Sequence, residues 1–163
     1  MGMAYLQGIP KADHVMTAAH IHLLLNHIPI LGSIFGLLVL IYAMLRRSDE
    51  ARKICLATFV ITALITIPVY LSGDGAAQIV SPLPGVSDDI IQQHDSAATI
   101  TIVVIELLGV ASLLCLWHLW KGRTLPGWLV STVLVLAVLS SGLGVWTGAL
   151  GGQIRHSEVR AHP

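Results

Sequence analysis

Long apolar runs broken by short polar stretches dominate the chain. Four of them, about Leu23–Leu45, Ile54–Leu71, Ala97–Trp120 and Gly127–Leu150, match the length a helix needs to cross a bilayer. That length is roughly 20 residues at about 1.5 Å rise each. Backbone groups in lipid must bond within their own segment, and these runs are too long for barrel strands. The pattern therefore predicts an all-α protein, a transmembrane four-helix bundle. The polar punctuation adds detail. A long second loop, Gly73 to Gln93, contains Ser81-Pro82-Leu83-Pro84-Gly85, which reads as a turn or break. Ser87-Asp88-Asp89 then reads as an N-cap with acids in the first turn, so the third helix starts near Asp88, well outside the membrane.

Composition agrees with the pattern. Of 163 residues, 55% are hydrophobic and 11% charged, and the mean hydropathy is +0.79. Soluble domains carry roughly a quarter charged residues. One domain, 1–163, is the natural count. Formal net charge is zero and no basic stripe is present, which argues against nucleic acid. Met1 to Ala19 lacks the basic-then-apolar pattern of a cleaved leader. Cys55 and Cys115 read as free packing thiols, and no CxxC or CxxCH motif occurs.

Lys and Arg set the expected orientation. Arg46, Arg47, Arg52 and Lys53 lie in the first loop and Lys121 and Arg123 in the third, against Lys11, Arg155 and Arg160 on the other side. The first and third loops are expected in the cytoplasm and both termini in the periplasm of a bacterial inner membrane. Trp117, Trp120 and Trp128 would form an aromatic belt at the inner interface.

An internal repeat adds structure to this picture. Tyr70 to Ile79 aligns with Val145 to Ile154 at an offset of 75, sharing a hydroxyl, a Gly, two small residues, Gln and Ile. His20 falls on His94 at an offset of 74. The bundle reads as two duplicated hairpins, about 14–80 and 87–157, related by an axis along the membrane normal. The small residues let helices pack closely in lipid. They also let a flat macrocycle approach the backbone, and Gly73, Gly148, Gly151 and Gly152 are the positions expected to line one.

Seven of the eight histidines, all but His118, fall on the side opposite the basic loops. At 1.5 Å per residue, His20, His22, His94 and His156 stand about 36–43 Å from the basic end, on three different helices, with His27 about a turn or two deeper. Imidazole is costly in lipid and rarely placed there without a task. On a straight helix His20 and His27 share a face, whereas His22 and His27 are about 140° apart. Asp95 and Asp74 are candidates to orient an imidazole through its other ring nitrogen. Glu106, near mid-membrane, is expected to be protonated, paired or turned into the bundle, with a proton relay as its functional reading.

His22-Leu23-Leu24-Leu25-Asn26-His27-Ile28-Pro29-Ile30, followed by His94 and by Gly151-Gly152-Gln153-Ile154-Arg155-His156, resembles a family of short four-span bacterial membrane proteins of unassigned function. The layout is also similar to small di-haem membrane cytochromes b, which bind b-type haem between histidines on neighbouring spans. That resemblance implies His22, His27, His94 and His156 as iron ligands, with His20 as substitute. It departs from the pattern in that the inner end offers only His118, so haems side by side, or one haem plus a metal, fit better than two stacked across the membrane. The leading expectation is thus a cytochrome holding one or two haem b groups. It would pass electrons near the outer face between a soluble carrier and a quinone or larger complex, alone or as a homo-oligomer. No nucleophile triad, phosphate loop or carboxylate pair points to a stand-alone enzyme. The alternatives are a direct copper, zinc or non-haem iron site, built from His20 or His22, His94 and His156 with Asp95 or Glu158, and a structural subunit of a membrane complex.

Overall fold

The computed structural model describes residues 12–156, and they are helical apart from short turns. Six helices follow in order: α1 (Ala12–Leu25), α2 (His27–Arg46), α3 (Asp49–Leu71), α4 (Gly73–Val80), α5 (Asp88–Trp120) and α6 (Gly127–Arg155). Four segments are long and apolar enough to cross a membrane: Ala18–Arg46, Asp49–Leu71, Asp88–Trp120 and Gly127–Arg155. This is the multi-pass four-helix bundle expected. The spans pack around a square, α2 beside α3, α3 beside α5, α5 beside α6, and α6 back on α2 along the thinnest seam. Leu31, Phe35, Leu38, Leu64, Val103, Leu107 and Leu113 stay exposed around it. An apolar belt of that extent is a lipid-facing surface.

The helix ends follow from local chemistry. Ser48 and Ser87 cap α3 and α5, their hydroxyls accepting from the Ala51 and Ile90 amides at 3.2 and 3.4 Å. Gly85 closes the turn before α5 with a φ of 79° that suits a residue without a side chain. Within the spans, hydroxyls satisfy themselves on the preceding turn. Ser33 donates to Pro29 O, Thr66 to Thr62 O and Ser141 to Ala137 O, at 2.7–2.8 Å.

Two features differ from the hydropathy reading. The first span breaks at Asn26, so α1 and α2 are separate helices. The second loop also holds a helix, α4, where only a turn was expected; it packs against α1. Its glycines read as loop, but Asp74 in its first turn complements the helix dipole. Both breaks, at Asn26 and at Ser72, fall in the first hairpin at the histidine-bearing end. The second hairpin is two unbroken helices of 33 and 29 residues.

The other end, bearing the arginines, is closed. Leu40, Cys55, Leu56, Phe59, Leu108, Ala111, Cys115, Leu129, Val133 and Ala137 form one buried core. Cys55 and Cys115 are free thiols within it. Arg123 and Lys121 sit 5.9 and 4.9 Å over the Trp117 and Trp120 rings, holding charge at the rim of the apolar belt.

Candidate functional site

At the histidine end the four spans and α4 surround a cavity of about 1350 Å³. Ordinary small-molecule pockets run to roughly 300–1,000 Å³. Its wall combines small residues, hydroxyls and imidazoles: Gly73, Gly144, Gly148, Gly151, Gly152, Thr66, Thr101, Thr147, His22, His27, His94 and His156 all line it.

Two of these imidazoles are held in the same way, one from each hairpin. His22 Nδ1 lies 2.9 Å from Val69 O and His94 Nδ1 3.0 Å from Thr147 O. A carbonyl only accepts, so each Nδ1 carries the proton. In the neutral form of such a ring the lone pair is on Nε2, the atom available to a metal.

A glycine stands beside each bond, and only the one beside His94 is in tight contact. A helical side chain covers the turn that precedes it, so the residue four positions on shields a given carbonyl. Four positions after Val69 stands Gly73, and four after Thr147 stands Gly151. The His22 Cε1 atom is 3.9 Å, and the His94 Cε1 atom 3.1 Å, from where a methyl on those glycines would sit. Val69 O belongs to the last turn of α3, where carbonyls lack helical partners. The buried Ser72 hydroxyl also reaches it at 3.0 Å. Thr147 lies inside α6, so the His94 bond is a second one to a carbonyl already in the ladder. The Thr101 and Thr147 hydroxyls, 2.8 Å apart, brace α5 on α6 beside it. The two imidazole contacts pair Gly73 with Gly151, whereas the sequence alignment pairs Gly73 with Gly148.

The remaining expected residues divide. His27 lines the cavity as the first residue of α2, exposed. His22 and His27, expected to face different partners, both line the one cavity. His156 lines it from the C-cap of α6. His20 is exposed and is not part of the wall. Gly148 faces Ile30, whose Cδ1 would be 2.7 Å from an added methyl, while Gly152 faces open space. Asp74 and Asp95 line the cavity, but the partners that orient His22 and His94 are backbone carbonyls instead. Glu106 lies outside the wall, its Oε1 buried without a partner among the described residues. Glu158 lies outside the described residues.

No family model, curated protein or solved structure matches the chain. The site must be read from its own atoms. Among the described residues no group of three or more His, Cys, Asp or Glu side chains is placed to hold a metal ion. What the cavity offers is two oriented imidazoles, a glycine-rich wall and Asn26 Oδ1, a buried acceptor without a partner. Sequence reasoning missed Asn26, Val69, Thr147 and Arg155. A lone Asn inside an apolar run was the one available signal for the first.

Proposed function

We propose that this protein is a b-type haem-binding membrane cytochrome, with His22 and His94 as the axial ligands. The observation that carries the reading is the matched pair of imidazoles on one large cavity, each with Nδ1–H given to a backbone carbonyl and Nε2 free. Ligating histidines usually donate their second ring nitrogen to a carbonyl or carboxylate, which fixes tautomer and orientation. A zinc or copper ion bound directly needs three or four protein ligands. A porphyrin brings its own four nitrogens and asks the protein for one or two imidazoles on facing helices. Two fixed rings and a glycine-lined wall fit the second demand. His27 and His156 are further imidazoles on the same wall.

Haem supplies reversible one-electron chemistry. The chain's part is to hold the ligand nitrogens neutral, to present an apolar wall and to limit water. The excess of Lys and Arg in the first and third loops supports placing the histidine end on the periplasmic side of a bacterial inner membrane. Electron exchange would then take place there, with a quinone, a soluble carrier or a larger membrane complex.

The test is a visible spectrum of detergent-purified protein reconstituted with haem b. The expected result is a Soret band with α and β bands that sharpen on dithionite reduction, as for six-coordinate bis-imidazole iron. A spectrum of free haem at all protein concentrations would end the proposal.

A further inference from the structure

The cavity wall carries a charge asymmetry that the imidazole pair does not use. Its charged side chains are three carboxylates, Asp74, Asp88 and Asp95, and one guanidinium, Arg155. Asp88 receives a hydrogen bond from Ser81 at 3.2 Å. Asp74 and Asp95 are exposed. Arg155 is the last residue of α6, next to His156, and makes no ion pair with any described residue. The ion pairs that do form, Arg52 with Asp49 and Lys53 with Glu50, are at the opposite end of the bundle.

The lining is thus mostly acidic, with a single fixed cation beside the end of α6. A ligand bearing carboxylates would be repelled from three places on that wall and attracted to one. Guanidinium is suited to the task, because it stays protonated at every working pH and can offer two parallel N–H donors to one carboxylate. Arg155 is exposed, and its place in the last turn of a helix, where the dipole favours a cation, steadies it.

We infer that Arg155 is the anionic-edge anchor of the cavity, binding the carboxylate substituents of the macrocycle and fixing which way round it enters. This rests on the haem reading above. Haem b carries two carboxylates on one edge of an otherwise apolar ring. That edge belongs at Arg155, and the apolar body belongs against the wall of Ile30, Gly144 and Gly148. Arg155 is then a binding and orientation residue, distinct from the imidazoles that take the iron. Its ligand class is an acidic macrocycle rather than a neutral one.

The experiment separates the two ideas. Detergent-purified wild type, Arg155→Gln and Arg155→Lys are titrated, by Soret absorbance, with haem b and with its dimethyl ester, in which both carboxylates are masked. Wild type should bind haem about tenfold more tightly than the ester, the order expected of one charge-assisted hydrogen bond. Arg155→Gln should lose that preference while binding the ester as wild type does, and Arg155→Lys should keep part of it. If Arg155→Gln binds haem and retains the full preference, the anchor assignment is wrong and the haem reading survives. If wild type shifts the Soret band of neither compound, both fall together.

Discussion

The middle of this bundle and its histidine end use glycine differently. Mid-bundle, glycines are where helices close on one another. A methyl on Gly32 would collide with Thr62, one on Gly36 with the Phe59 ring, and one on Gly109 with the Ala63 methyl. At the histidine end Gly148 of α6 is filled in the same way by Ile30, but Gly73 of α4 and Gly151 of α6 lie beside imidazoles, and Gly152 faces open space. Close packing in lipid comes from van der Waals contact and not from hydrophobic exclusion of water. A small residue therefore tightens a bundle only if a neighbour fills the notch. Mid-bundle, Thr62, Phe59 and Ala63 fill it. At the histidine end nothing fills the space beside Gly152.

The most forceful way to break the comparison is to remove the fixed imidazoles. His22→Ala and His94→Ala should each lose most bound haem b, at least tenfold in occupancy after reconstitution, measured by pyridine haemochrome against protein concentration. His27→Ala should lose less, and His20→Ala should match wild type, since His20 is not on the cavity wall. The fold should persist in all four, because none of these side chains belongs to the buried core at the other end. Equal loss in His20→Ala and His94→Ala would show that the cavity geometry does not select the ligands.

Much of the architecture was legible before any coordinates. Apolar length marked the four spans, and Ser87-Asp88-Asp89 marked the start of α5 well ahead of its apolar run. The break at Asn26 was not legible, because Leu23 to Leu45 is apolar on average and a hydropathy window is blind to a turn marked only by Asn26 and His27. Nor was α4, whose Gly73 and Gly75 read as loop although Ala76, Ala77, Gln78, Ile79 and Val80 carry a helix that rests on α1. For the site, clustering and depth brought His22, His94 and His156 to one level, as the cavity does. The resemblance already preferred His22 over His20; the hydrogen bond that holds the His22 ring on Val69 O was beyond sequence, because it joins residues 47 apart.

A smaller effect should separate the two uses of glycine through stability. Gly36→Leu forces a side chain against Phe59 in the closed half and should destabilise the protein by about 1–3 kcal/mol, the usual cost of overpacking. It should appear as a lower thermal midpoint in detergent. Gly152→Leu meets no neighbour within 4 Å and should leave that midpoint unchanged while reducing haem uptake. Similar midpoints for the two variants would mean that both regions pack alike.

The subtlest effect lies inside the histidine end, between the two glycines that lie beside imidazoles. An alanine at 151 puts its methyl 3.1 Å from His94 Cε1, closer than carbon atoms normally approach, whereas an alanine at 73 has 3.9 Å to His22. Optimal carbon–carbon separation is about 3.5–4.0 Å. Gly73→Ala is therefore accommodated without movement. Gly151→Ala must push the His94 ring away from Thr147 O, lengthening a hydrogen bond that is now 3.0 Å. The ring would stay in the cavity but lose its fixed tautomer, so haem should still bind, a few-fold more weakly. The fraction of six-coordinate iron, read from the reduced α band, should fall in Gly151→Ala and not in Gly73→Ala. Equal behaviour of the two would show that access to the Thr147 carbonyl is not what Gly151 provides.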